Sequence, residues 1–219
     1  MNPKVPYNSG LSDALRTCIS PERFQSYLDA TGGDVEAALR LYVWNTAVSG
    51  AFYGPLQACE ISLRNAVHDR LSQRYGVRWF ENGAFLDPGD VAMAAKAIDR
   101  INRLGKTPTP GRVISELGFA YWVGLTANYY DQTIWRTELA FLFHPRPRRK
   151  DVYSDLDRLR TLRNRIAHHE PIHNRNLIQD YERVDRVLRL LSPEKTDWVA
   201  RHSRVYETLA LSPEDVVRF

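Results

Sequence analysis

Apolar residues recur three or four positions apart along most of this chain, and that spacing restricts the fold more than any other feature. One segment shows it clearly, with apolar side chains at Leu56, Cys59, Leu63, Val67 and Leu71. This is the period of an α-helix with one buried face, and no segment shows the alternation typical of a half-buried strand. The sequence therefore predicts an all-α protein, a helical bundle.

Caps and helix breakers predict where the helices begin and end. The predicted features are a cap at Asp34, a bend at Pro55, an end at Gly76, a turn over Asp87–Gly89, a helix over Val91–Leu104, a loop over Gly105–Gly111, two or three helices over Val113–Phe143, a break over His144–Lys150, a helix from Asp151 to about His169, a helix with Leu177, Ile178, Tyr181, Val184, Leu188 and Leu191 on its apolar face, and helix starts at Ser192-Pro193 and Ser212-Pro213.

Length and composition predict an ordinary globular protein. The 219 residues fit a single domain over 1–219, with 1–33 as an N-terminal helical appendage, and the chain is 43% hydrophobic and 26% charged. No apolar run approaches the roughly 18 residues of a membrane span, and the first residues lack the apolar core of a signal peptide. We therefore expect no membrane partner and a cytoplasmic location. Cys18 and Cys59 form no CxxC, so they are expected to be small buried hydrophobes.

The segment LRNRIAHHEPIH, Leu162 to His173, concentrates ionisable residues just before and after a proline. At about 100° per residue, Arg163 falls near the centre of the apolar stripe of its helix, which is formed by Val152, Leu156, Leu159 and Ile166. A guanidinium in that position is costly unless it is paired or used. Two interpretations remain open: a structural arginine tied to a carboxylate or carbonyls, or an arginine at the floor of a cleft that binds an anion.

His168 lies roughly 140° round the helix from Arg163. Pro171 disfavours helical geometry at Glu170, so we expect the helix to end near His168 or His169, and unwinding there could bring His168 toward Arg163. Asn164, four residues before His168, could orient the imidazole. Histidine can exchange the protons of RNA cleavage, and arginine can neutralise charge on the phosphate, so the pair suits metal-free cleavage of RNA.

The run RNRIAH, Arg163 to His168, resembles the Arg-polar-x3-His signature of HEPN-domain ribonucleases. The longer run RNRIAHHEPI resembles the Abi-like branch, the abortive-infection proteins of bacterial phage defence. Three further segments resemble that branch: SPERFQSYLDATGGDVEAALRLYVWN (Ser20–Asn45), CEISLRNAVHDRL (Cys59–Leu71) and FAYWVGLTANYYDQTIWR (Phe119–Arg136). The resemblance implies a HEPN-type bundle, here with additional N- and C-terminal helices, that is frequently dimeric.

The same resemblance implies an endoribonuclease that needs no metal and leaves a 2′,3′-cyclic phosphate, in a phage-defence or toxin-type system. It makes Arg163 and His168 catalytic and Asn164 supporting, with RNA as partner and an antitoxin or regulatory protein as a further one. Because the reaction needs both an acid and a base, we expect a homodimer in which each protomer supplies one histidine. The alternative function is a module of the same family that binds RNA or protein without cutting.

A second polar stripe comes from Glu60, Arg64 and His68, spaced four residues apart, with Asn65 beside it. One interpretation is a solvated helix face with a weak ion pair. The other is that Glu60 fixes a basic residue of the site, Arg163 or Arg64, with Arg64 and Asn65 in support.

The remaining histidines raise the question of a metal. His168, His169, Glu170 and His173 are all ligand types, but Pro171 interrupts their helical spacing, so we predict no metal and no cofactor. His169 is expected at the surface or in support of the site. A metal-dependent enzyme remains the weakest of three alternatives.

The loop HPRPRRK is the sequence's candidate RNA contact, through Arg146, Arg148, Arg149 and Lys150. Positive charge before a helix start opposes the helix dipole, and phosphate binding would explain it, although a merely soluble loop is the alternative. Aromatic side chains could stack on bases, but their helical spacing favours core packing; they are Tyr121, Trp122, Tyr129, Tyr130 and Trp135.

Overall fold

The computed structural model describes residues 9–215, and over that range the chain forms helices and turns with no strand. The helices are α1 (Ser9–Ile19), α2 (Pro21–Ala30), α3 (Val35–Tyr75), α4 (Pro88–Arg103), α5 (Pro110–Glu116), α6 (Phe119–Gly124), α7 (Arg149–Ala167), α8 (Leu177–Leu191), α9 (Pro193–His202) and α10 (Val205–Leu209). The prediction of an all-α protein is confirmed. Within the described range, no helix is long and apolar enough to cross a bilayer.

The chain divides into two compact units. The first contains the described residues up to Leu56, then Thr161–Glu182, and the chain from Val199 onward. The second contains Gln57–Arg160 and Arg183–Trp198. The Arg163–His168 signature therefore belongs to the first unit, while the Glu60 stripe and the basic loop belong to the second.

Several predicted helix boundaries are confirmed by their hydrogen bonds. The Ala37 N–H donates to Asp34 Oδ1 at 3.0 Å, which caps α3. Gly76, at φ +87°, ends the helix in a left-handed conformation that favours glycine. The Lys195 N–H donates to Ser192 Oγ at 3.3 Å at the start of α9. Pro55 lies inside the 41-residue helix α3. At Ser212 the chain makes a turn, and the continuation of the predicted helix lies outside the described residues.

Other predicted boundaries differ from the structure. Helix α5 begins at Pro110, inside the predicted loop, and α7 begins at Arg149, inside the predicted break and two residues before the predicted start. Helix α4 begins at Pro88 and not at Val91, because Asp87 accepts from the Gly89 N–H at 2.8 Å and so caps the helix. A proline fits the first turn, where its missing N–H has no helical partner. The stretch over Val113–Phe143, predicted as two or three helices, contains the end of α5, the short helix α6 and then 3₁₀ and π turns. Tyr121 and Trp122 are neighbours within α6 and both are buried, so α6 is covered on more than one side.

The core follows most of the predicted apolar pattern. Tyr121, Trp122, Tyr130 and Trp135 are buried as predicted, but Tyr129 is 61% exposed. In α8, Ile178 is 54% exposed and Val187 is buried in addition to the predicted face. Cys59 is a buried free cysteine, whereas Cys18 is exposed. The prediction of a buried Cys18 was wrong because Leu15 and Ile19, spaced four residues apart, turn the apolar face of α1 away from it.

Candidate active site

The signature lies at the carboxyl end of α7, in the first unit, where the helix ends in a Schellman turn. The His169 N–H donates to the Ile166 carbonyl at 3.1 Å, and the Glu170 N–H donates to the Arg165 carbonyl at 2.8 Å. His169 has φ +57°, the left-handed conformation that such a turn requires. His168 is thus the last residue before the chain reverses, as predicted from Pro171.

The backbone that follows the signature is tied down at several points. The side-chain oxygen of Asn45 accepts from the N–H of Ile172 at 2.8 Å and from the N–H of His173 at 3.1 Å. The Arg165 guanidinium donates to the Pro171 carbonyl at 3.3 Å. Ile172 is fully buried. The position of His168 is therefore set by a well-anchored backbone.

The start of α8 is anchored as well. Arg175 and Asp180 form an ion pair at 2.8 Å in which the carboxylate is only 3% exposed. A buried, hydrogen-bonded pair of this kind holds its two backbone segments in one geometry. The segment between α7 and α8 is therefore fixed at both ends.

The structure places the signature side chains at different depths. Val152, Leu156 and Leu159 are buried as predicted, but the apolar face continues to Leu162 and leaves Ile166 partly exposed. Arg163 is half-buried. Burial decreases toward the end of the helix, since the four residues after Leu162 are all half-buried.

Asn164 and His168 are brought together through the backbone. The His168 N–H donates to the Asn164 carbonyl at 2.9 Å, while the Asn164 side chain is half-buried. His168 and His169 are both exposed. An exposed imidazole at a fixed helix end can exchange protons with a bound substrate, and a half-buried guanidinium five residues earlier can bind an anion.

His173 has a different environment from the two exposed histidines. Its ring centroid lies 5.1 Å from that of Tyr27, and its Nε2 atom is buried without a hydrogen-bond partner. Burial lowers the pKa of His173, because the charged imidazolium is poorly solvated there. Burial also raises the pKa of the Tyr27 hydroxyl. His173 therefore packs as a neutral ring, and its backbone does the anchoring.

In the second unit, the predicted polar stripe lies on α3, and one of its contacts joins Arg64 to the neighbouring Asn65. The Arg64 Nε–H donates to Asn65 Oδ1 at 3.1 Å. Glu60 and Arg64 are half-buried, and Asn65 is exposed. The structure thus pairs Arg64 with Asn65.

His68 is the residue of this stripe whose partner the sequence did not reveal. The Trp79 indole N–H donates to His68 Nδ1 at 3.1 Å, and Trp79 is fully buried. This bond requires a neutral acceptor nitrogen. Burial lowers the pKa of His68, Arg64 lowers it further, and Asp69 opposes the shift. His68 is spaced regularly after Glu60 and Arg64, but nothing in the sequence indicated that Trp79 would bind it.

The basic loop before α7 separates into different roles. The Arg149 guanidinium donates to the Thr126 carbonyl and to Asn128 Oδ1, both at 2.9 Å, and lies 3.4 Å from Asp131. Arg148 pairs with Asp151 at 2.7 Å and is 86% exposed. Arg146 and Lys150 are exposed. Arg149 therefore serves the fold, and the other three cations face solvent.

Among residues 9–215, no group of three or more His, Cys, Asp or Glu side chains is arranged to hold a metal ion. No family model, curated protein or solved structure matches this chain.

Proposed function

We propose that this protein is a metal-independent endoribonuclease of the Abi-like, HEPN type, and that it acts in the bacterial cytoplasm in a phage-defence or toxin-type system. The observation that supports the proposal best is the end of α7. His168 is exposed on a helix end whose backbone is anchored, and Arg163 lies on the last turns of the same helix. Proton transfer and phosphate binding are the two functions that this pair can supply.

In the proposed reaction, the 2′-oxygen of a ribose attacks the adjacent phosphorus and the bond to the 5′-oxygen breaks. An imidazole accepts the proton of the 2′-hydroxyl, and a protonated imidazole donates one to the leaving 5′-oxygen. Arg163 stabilises the negative charge that develops on the phosphate oxygens. The products are a 2′,3′-cyclic phosphate and a free 5′-hydroxyl. Asn164 and His169 are positioning residues for His168.

The reaction uses one base and one acid, which leads to the proposal of a homodimer. His168 of one protomer would take one role and His168 of its partner the other, as a twofold axis allows. An antitoxin or another regulatory protein would restrain such an enzyme in uninfected cells. Size-exclusion chromatography with light scattering tests the dimer directly.

The test of the proposal is cleavage of single-stranded RNA by purified protein in excess EDTA. His168→Ala should lower the rate by about 10²–10⁴-fold, the usual contribution of general acid–base catalysis, with little change in thermal stability. His202→Ala removes another exposed histidine and is the matched control, with an expected rate close to wild type. Equal cleavage by wild type and His168→Ala would reject the mechanism.

Arg163 is tested by a charge-conserving change. Arg163→Lys keeps the positive charge but loses the planar fork that can grip two phosphate oxygens, so cleavage should still fall. Arg163→Ala is less informative alone, because it also removes a half-buried side chain. Attack by the 2′-oxygen leaves a 2′,3′-cyclic phosphate, whereas direct attack by water on the phosphorus does not. The end group of the product therefore distinguishes the two mechanisms.

The second candidate function is an RNA- or protein-binding module without catalysis. The exposed cations Arg146 and Lys150 favour it, since they could hold RNA whether or not the signature cuts, whereas Arg148 is already paired with Asp151. If the wild-type protein binds RNA but does not cleave it, the protein belongs to this class.

A further inference from the structure

In the second unit, two guanidinium groups lie over the ring of Phe141. The Cζ atom of Arg146 lies 3.7 Å from the ring centroid, and the Cζ atom of Arg70 lies 5.3 Å from it. Phe141 is 41% exposed although it is a large apolar residue. These residues form a surface of aromatic and guanidinium groups that solvent can reach.

The two sides of this surface come from separate parts of the chain. Arg70 and Arg74 lie four residues apart on α3, and both point to Glu138, with Nε-to-oxygen distances of 2.8 and 3.7 Å. Glu138 is buried, and its carbonyl accepts from the Phe141 N–H at 3.3 Å. The turn from Glu138 to Phe141 therefore fixes the Phe141 ring and, through the Glu138 carboxylate, also holds Arg70 and Arg74.

The surface has a net positive charge, because three guanidinium groups meet a single carboxylate. Glu138 is only 8% exposed, whereas Arg74 is 67% exposed and Arg146 is also exposed. A buried carboxylate that orients exposed arginines leaves their outer N–H groups available to a partner. A ligand that fits this surface therefore carries a negative charge next to a flat ring.

We propose that Arg70, Arg74, Phe141 and Arg146 bind an unpaired stretch of nucleic acid. One base stacks on the Arg146–Phe141 pair, and the neighbouring phosphates contact Arg70 and Arg74. That the nucleic acid is RNA rests on the proposed function. A duplex keeps its bases stacked inside and offers no free face to this pair, so the surface selects single strands.

This assignment distinguishes between cations that the sequence presents as one cluster. Arg146 stacks on a ring, Arg148 is held by Asp151, and Arg149 is bound to Thr126 and Asn128. Arg146 and Arg148 are two residues apart, both are exposed, and both carry one charge. They therefore form a matched pair for an experiment.

The experiment measures binding of a fluorescent oligouridylate by anisotropy, in EDTA, with full-length protein that also carries His168→Ala so that cleavage does not interfere. Arg146→Ala should weaken binding by about 10-fold, the effect of losing one stacked base. Arg148→Ala should change it less than about 2-fold, since Asp151 already neutralises that side chain. Phe141→Leu, which keeps an apolar side chain, should weaken binding by a similar factor to Arg146→Ala.

Several results would overturn the inference. They are equal weakening by Arg146→Ala and Arg148→Ala, equal affinity for single-stranded and duplex RNA, absence of oligouridylate binding, or competition by polyglutamate as strong as by RNA, which would indicate an acidic protein partner. Thermal unfolding of each variant checks that the fold is intact. An oligodeoxyuridylate that binds as tightly as the RNA would support the surface but not its assignment to RNA.

The failure of this inference is distinguishable from failure of the proposed function. Binding that depends on Arg146, together with no cleavage by the protein with His168 intact, would reject the nuclease and retain the surface. Cleavage that depends on His168, with binding that ignores Arg146 and Phe141, would do the reverse.

Discussion

The side chain of Asn45 accepts a hydrogen bond from the backbone N–H of Ile172 at 2.8 Å, although the two residues are 127 positions apart in the chain. Asn45 is 5% exposed and Ile172 is fully buried, so water does not replace this bond. Asn45 also accepts from the N–H of His173. A single buried amide on α3 therefore holds the backbone just after the signature.

Replacing that amide should destabilise the protein. Asn45→Ala leaves two backbone N–H groups without an acceptor, at least one of them fully buried, and each buried unsatisfied donor costs about 1–3 kcal/mol. We expect the free energy of unfolding, measured in urea, to fall by roughly 2–4 kcal/mol. Asn174→Ala is the control, because Asn174 is exposed and accepts only a long hydrogen bond, 3.5 Å, from Arg165 among the described residues. Equal stability of the two variants would contradict the role given to Asn45.

A substitution at His169 is expected to stabilise the protein. It occupies a left-handed conformation, φ +57°, that suits glycine better than a residue with a Cβ. His169→Gly should relieve about 1–2 kcal/mol of strain, and the greater freedom of glycine in the unfolded chain offsets about 0.5–1 kcal/mol of it. A net rise of about 0.5–1 kcal/mol in urea unfolding is expected.

The companion variant His169→Ala keeps the strain and should not stabilise the protein. If His169 only positions the turn, His169→Gly should also leave the dependence of RNA cleavage on His168 unchanged. A glycine variant less stable than the alanine variant would contradict the relief of backbone strain, and an alanine variant less stable than wild type would show that the imidazole itself holds the turn.

The different roles of two neighbouring arginines can be separated by stability. Arg149 is half-buried and donates to a carbonyl and an amide, whereas Arg148 is 86% exposed. Arg149→Ala should lower the free energy of unfolding by about 2–3 kcal/mol, because the Thr126 carbonyl and the Asn128 amide lose a charged donor. Arg148→Ala should leave it nearly unchanged, because its ion pair with Asp151 is exposed to solvent. Urea unfolding of both variants in the same buffer measures the difference between their free energies of unfolding.

Helices with one apolar face could be predicted from the sequence, because their pattern is local. Asp34, Gly76 and Ser192 mark helix boundaries through their own side chains or backbone freedom, so those predictions were correct. The aromatic stretch after Val113 was not predictable in the same way. Neighbouring residues there are buried on different sides, and tertiary packing overrides the helical period.

The candidate site was predictable only as a set of residue types. The sequence indicated that the helix ends near His168 or His169, because Pro171 acts on its immediate neighbours. It did not indicate that Asn45 would anchor the loop, that Trp79 would bind His68, or that Arg149 would turn inward while Arg146 stacks on Phe141. Each of these contacts depends on where distant segments meet, and no local spacing encodes that.

The pairing of His68 with Trp79 predicts how stability depends on pH. Burial holds the pKa of His68 below its ordinary value of 6.5, so the unfolded chain binds the proton more readily than the folded one. The contribution of neutral His68 to the free energy of unfolding is therefore complete above about pH 6.5, and it is lost as the pH falls below that value. Protonation also removes the acceptor of the Trp79 indole N–H. His173, whose pKa is lowered by burial as well, contributes in the same direction.

The measurement is urea unfolding at pH 7.5 and pH 5.5 for wild type and His68→Gln. Glutamine offers the indole an acceptor oxygen but does not titrate, so the variant should lose less stability between the two pH values than wild type does. The other histidines are common to both proteins, so the difference between the two slopes isolates His68. If His68→Gln kept the wild-type slope, the His68–Trp79 bond would not be the source of acid sensitivity.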